Sequence, residues 1–179
     1  MRIPYWDIED IIDELITRLN DTTNGINAAI TAMNTAKAAK DTAAGRVVMV
    51  MDKFVNAAGT ETLTENQNLF FFMLEEIANC DPIICVLVPI WDADSMGGNT
   101  VKVSFLVVVE DKSDGTDPKR KLLRYLTALR AVLFDFVNDC AMAQASKLSD
   151  VAPDLEQVLV NNESRSYYSA GVSVELTFA

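Results

Sequence analysis

The stretch Thr100-Val-Lys-Val-Ser-Phe-Leu-Val-Val-Val-Glu110 decides the fold. Val101, Val103, Phe105, Val107 and Val109 fall on one face of an extended chain, and Lys102, Ser104, Leu106 and Val108 on the other. A period of two with β-branched residues predicts a strand with one face on a core. Upstream, Ile83 to Ile90 (Ile-Ile-Cys-Val-Leu-Val-Pro-Ile) is an almost unbroken apolar run. It predicts a second strand, covered on both faces, with Pro89 at its end or on an edge. Asp92 to Asn99 between them has the composition of a turn, so the two strands are expected to pair as a hairpin.

Downstream, Asp111 to Asp117 is a polar loop, and Asp117-Pro118 has the form of a helix start, with Asp as cap and Pro in first position. Leu122, Leu126, Leu129, Leu133, Phe136 and Cys140 follow at steps of four and three, widened by Leu123, Val132 and Val137. Such a stripe must pack on the sheet. Val158-Leu159-Val160 is a short apolar run, and Asn161 to Ser166 reads as a polar turn. Tyr167 to Phe178 then alternates as a terminal strand.

The first 44 residues read as helical. Ile8, Ile12, Leu15 and Leu19 are followed by Ile26, Ala29, Met33 and Ala36, either on one kinked helix or on two joined at Asn24-Gly25. Arg46 to Ala58 fits a buried strand or a helix, and the helical reading is preferred. Gly59 to Glu65 reads as a loop, and Asn68 to Ile77 stays open between strand and helix. The expectation is a single α+β domain over residues 1–179. It has an N-terminal helical segment (1–44) and a body (69–179) of mainly antiparallel sheet with a long helix packed on it.

Composition narrows the chemistry. The chain has 179 residues, 15 basic and 26 acidic, a net charge of −11, and no histidine. Histidine triads, histidine zinc sites and histidine general bases are excluded. The charge disfavours nucleic acid as main ligand, since phosphates call for clustered Lys and Arg. Cys80, Cys85 and Cys140 form no C-x-x-C pair and read as small buried hydrophobes. Asp92-x-Asp94-x-x-Gly97 starts like a calcium loop, but Met96 and Val103 stand where that loop needs ligands. Glu75-Glu76 and the Asp111, Asp114, Asp117 group read as solvated acids. No catalytic, cofactor or metal site is expected, and the chain is read as a non-enzyme. Met1 to Asp7 lacks the apolar core of a secretion signal, and the longest apolar run falls far short of the ~20 residues of a membrane span. A cytoplasmic protein with no membrane partner is expected.

Lys119, Arg120, Lys121 and Arg124 form the one basic cluster, placed where positive charge opposes the helix dipole. Three uses compete: local pairing with Asp111, Asp114 and Asp117, an ion pair across a subunit interface, or contact with nucleic acid. Trp91, Tyr167 and Tyr168 are candidate interface anchors. With Asp111 and Asp114 they complete the set of candidate interface residues.

Val101 to Glu110 (VKVSFLVVVE), Lys121 to Phe134 (KLLRYLTALRAVLF) and Tyr167 to Ala179 (YYSAGVSVELTFA), in this order, resemble the tail terminator and neck proteins of tailed bacteriophages. The resemblance covers the C-terminal half. It implies a structural virion protein, assembled in host cytoplasm, that forms a homo-oligomeric ring, commonly hexameric. Such a ring caps the tail tube, stops its polymerisation and docks the head connector. In a contractile tail it also meets the sheath, and DNA passes through its lumen without specific binding. Another neck or tail-completion adaptor, and a small cytosolic enzyme or ligand-binding domain, are the alternatives.

Overall fold

A computed structural model of the chain describes residues 8–55, 60–63, 82–87, 100–112, 116–139, 145–160 and 163–177. Among these residues three helices, α1 (Ile8–Leu19), α2 (Ile26–Ala43) and α3 (Pro118–Asp139), accompany four strands. These are β1 (Ile83–Leu87), β2 (Thr100–Glu110), β3 (Ala145–Val160) and β4 (Glu163–Thr177). The sheet order is β1-β2-β4-β3, and every neighbouring pair is antiparallel. The α+β expectation holds. The segment Asn68 to Ile77 and the turn Asp92 to Asn99 lie outside the described residues.

The alternation in β2 sets the two faces of the sheet. Val103, Phe105, Val107 and Val109 are buried, and their partners on β4 continue the face: Val174 opposite Val103, Val172 opposite Phe105, Ala170 opposite Val107. Onto this face packs α3, burying Leu122, Tyr125, Ala128, Leu129, Val132, Leu133 and Phe136. Each fully buried Leu or Phe in such a layer contributes about 1.5–3 kcal/mol relative to its exposed form. Leu123, read as part of the stripe, is 63% exposed. It sits one residue past Leu122 and therefore about a quarter-turn off the buried line.

The opposite face carries cross-strand rows. Glu175 lies between Lys102 (3.9 Å) and Lys147 (2.8 Å), and Ser104 and Ser173 hydroxyls meet at 2.7 Å. Gly171, opposite Leu106, is required by close approach: a methyl there would run into the Phe105 carbonyl. On β3 the register shifts between Val151 and Asp154, a bulge that bends this edge strand beside Pro153.

The hairpin of β1 and β2 forms as expected, and Asp117 caps α3 by accepting the Lys119 and Arg120 N–H groups at 3.0 and 3.3 Å. Two features differ from the sequence reading. Strand β3, Ala145–Val160, runs through a stretch in which only the apolar Val158 to Val160 was singled out, and β4 begins at Glu163 inside the expected polar turn. Pairing of polar residues such as Ser164 with Leu159 and Ser166 with Gln157 extends the ribbon, and hydrophobic alternation is blind to it. At the N-terminus there are two helices, not one. Asp21 accepts N–H bonds from Thr23 (2.8 Å) and Asn24 (2.7 Å) in the joint, which competes with helix continuation. Helix α2 ends in a Schellman turn. Gly45 takes φ 63°, its N–H reaches the Thr42 carbonyl, and the Arg46 N–H reaches the Asp41 carbonyl.

Candidate functional site

The Schellman turn sends the chain back along α2 as an extended strap, residues 46–55. The expectation of a helix over Arg46 to Ala58 is thereby corrected for 46–55, where neither helix nor strand is present. Val47, Val48 and Val50 are β-branched, and Met49 and Met51 alternate inward with 2% exposure each. That is the pattern of a strand, yet the strap joins no sheet. Its buried backbone groups still need partners, and side chains supply them.

The supply is a ladder spaced by seven residues: Asn20, Asn27, Asn34 and Asp41. On α2 a step of seven is two turns, so Asn27, Asn34 and Asp41 lie along one line, and Asn20 in the joint continues the series. Each asparagine amide grips both backbone groups of one residue, as a neighbouring strand would. Asn34 donates to the Met51 carbonyl (2.9 Å) and accepts its N–H (2.8 Å). Asn27 treats Phe54 the same way (2.9 and 2.9 Å). Asn20 does so for Leu63 (2.7 and 2.7 Å). The gripped residues are also buried through their side chains, Phe54 and Leu63 included. Phe54 packs against the Tyr125 ring at 5.3 Å between centroids, and the Tyr125 hydroxyl donates to the Asp52 carbonyl (2.8 Å).

The fourth rung is divided between two residues. Asp41 accepts the Met49 N–H (3.3 Å), but a carboxylate has no donor for the carbonyl. Arg124 of α3 supplies it, donating to the Met49 carbonyl at 3.2 Å. The Arg124 guanidinium also grips both Asp41 oxygens at 2.7 Å. Bonds from Arg124, with that from the Met49 N–H, hold the Asp41 carboxyl below its ordinary range against the opposing effect of burial. Arg120 adds a bond to the Val47 carbonyl (3.0 Å) and lies 3.5 Å from Asp41. Lys121 lies 3.9 Å from Asp52.

Arg120 and Arg124 are therefore paired within the chain, with a carboxylate that none of the three sequence readings named. Arg124 and Lys121, two of the candidate interface residues, are each 7% exposed. The correction has a plain cause: the helix start faces the end of α2 and the strap, so charges that oppose the α3 dipole are offset by Asp41 and by backbone carbonyls. Of the four, Lys119 is exposed, 5.6 Å over the Tyr168 ring. Tyr167 is buried, and Asp111 is exposed with its N–H on the Ser166 carbonyl. Trp91 and Asp114 lie outside the described residues, as do the cysteine side chains. Sequence reading missed Asn20, Asn27, Asn34 and Asp41, although their spacing of seven was visible.

Among the described residues, outward-facing apolar side chains lie on the strap (Val47, Val48, Val50, Val55) and on α3 (Leu123, Phe134). Phe134 borders an open groove of about 580 Å³ between α3 and Lys147-Leu148 of β3. Among the described residues no group of three or more acids or cysteines is placed to hold a metal ion, and no helix is long and apolar enough to cross a membrane. No protein-family model matches this sequence, and no curated protein matches it.

Proposed function

We propose that this chain is a structural ring subunit of a phage tail, a terminator that caps the tail tube and docks the head connector. One observation supports this reading above others. The described residues of the three stretches that carry the resemblance fold as one contiguous unit: β2 paired with β4 from Thr100–Thr177 to Glu110–Tyr167, with α3 packed across both. The unit leaves unequal edges. Strand β4 pairs with β3 alone over Glu163 to Arg165, beyond the end of β2, and β1 closes the other side with five residues. A closed ring needs two different surfaces on each subunit that meet head to tail, and this sheet offers them.

The work of such a protein is surface presentation to copies of itself, to the tube, to the connector and, in a contractile tail, to the sheath. DNA passing through its lumen would meet a chain of net charge −11, which repels it. Negative-stain images of the pure protein are expected to show rings, and addition of purified tubes to give rings at tube ends and arrested growth. Monodisperse monomers in the images, or tubes that grow unhindered, would defeat the reading. Binding to connectors with no effect on tubes would transfer the chain to the head-side adaptors.

A further inference from the structure

We propose that the strap is exchangeable between copies. The α1–α2 hairpin of one molecule can leave its own strap and α3 and close on those of a second, rebuilding the same ladder between chains. The inference goes beyond the ring reading and needs only two copies of this chain.

Three observations lead here. First, the ladder grips N–H and C=O groups, so it is indifferent to which copy supplies the strap. Second, hairpin and strap are joined at a single point, Gly45, in a left-handed turn (φ 63°) just past the Asp41 rung, and glycine passes to an extended form without steric cost. Third, Val47, Val48 and Val50 lie immediately after that joint with 62%, 42% and 68% exposure. This apolar run is left uncovered by the described residues of its own chain and is placed to gain cover where two copies cross. Because an exchanged pair remakes every closed contact except the turn, little separates the two forms but concentration and the geometry at Gly45.

The Asp41–Arg124 pair, which bridges hairpin and body, supplies the test. Asp41→Arg sets two cations against each other, and Arg124→Asp sets two anions. Each variant alone is expected to melt well below the wild type. In an exchanged heterodimer the hairpin of the Asp41→Arg chain meets the body of the Arg124→Asp chain, so opposite charges face each other in reversed order. At the other junction the native pair re-forms. An equimolar mixture should therefore recover most of the lost Tm, and more of it at higher concentration. A mixture that melts like its components overturns the proposal. Gly45→Pro provides a second arm that keeps ladder and latch whole. Proline forbids the positive φ and favours the extended joint. The variant should gain a concentration-dependent, larger species in light scattering. A folded Gly45→Pro chain whose size and Tm ignore concentration overturns exchange. Rings in micrographs with no recovery on mixing would leave the ring reading standing alone, and recovery without rings would do the reverse.

Discussion

Replacing Asn34 by Ala removes one whole rung of the ladder and leaves the rest of the core in place. The Met51 N–H and carbonyl both lose their partner, and Met51 is 2% exposed, so water does not replace it freely. Each lost bond costs about 1 kcal/mol net, and more where a buried group is stranded, so about 2 kcal/mol is expected in total. For a chain of this size that is a fall in Tm of about 4–8 °C. Asn34→Asp sharpens the test. It keeps an acceptor for the Met51 N–H but sets a carboxylate against the Met51 carbonyl, so at neutral pH it should be no better than Ala. Its deficit should shrink as the pH drops towards about 4, where protonation restores a donor. Differential scanning calorimetry gives both numbers. Hydrogen exchange adds the location: the Met51 amide should lose protection while the amides of Val103 to Val107 keep theirs. If Asn34→Ala shifts Tm by less than roughly 1 °C, or Asn34→Asp matches the wild type at pH 7, the strap is held by side-chain packing and the ladder reasoning fails.

The folded Asp41 carboxyl sits below its ordinary value of 3.8, so its contribution is fully present above that value and lost as the pH falls through the lower folded one. Acid titration of stability should show this loss below about pH 4, and Asp41→Asn, less stable at neutral pH, should flatten that limb. Gly171→Ala should cost roughly 3 kcal/mol, because the new methyl meets the Phe105 backbone, which cannot yield without disturbing β2. Gly45→Ala meets no atom but must hold a positive φ, so a loss of about 1 kcal/mol is expected by urea titration. Leu129→Ala should cost about 2–5 kcal/mol by the same assay, and Leu123→Ser, on the exposed side of the same helix, less than about 0.5 kcal/mol.

What the residues disclosed beforehand follows from which bonds they make. Strand β2 and helix α3 were legible because each buries one face, and a one-sided environment writes its period into the chain. The Asp117 cap was legible because its chemistry is local. The strap was not. Val47 to Met51 fits a strand by composition, and Val47, Met51, Phe54 and Ala58 fit a helix by spacing. What decides between them is a pair of asparagine partners 17 and 27 residues earlier, together with Arg120 and Arg124 on α3, which no local window contains. The basic cluster was seen, but the carboxylate that Arg120 and Arg124 meet, Asp41, is about 80 residues away in sequence, beyond any local window. The asparagines were overlooked because polar residues on a helix are normally read as its wet side. Here the half-buried amides of Asn27 and Asn34 line the seam between α2 and the strap.

A seam that recognises peptide units asks almost nothing of the letters written along the segment it holds. Substitutions at Val47, Val48, Val50 and Val55 can accumulate without loosening a rung, provided Met49, Met51 and Phe54 still fill the space beneath. Kinship with this chain should therefore survive in four amide or carboxylate positions at intervals of seven long after the strap itself has been rewritten, and a search built on that cadence would find cousins that whole-sequence similarity passes over.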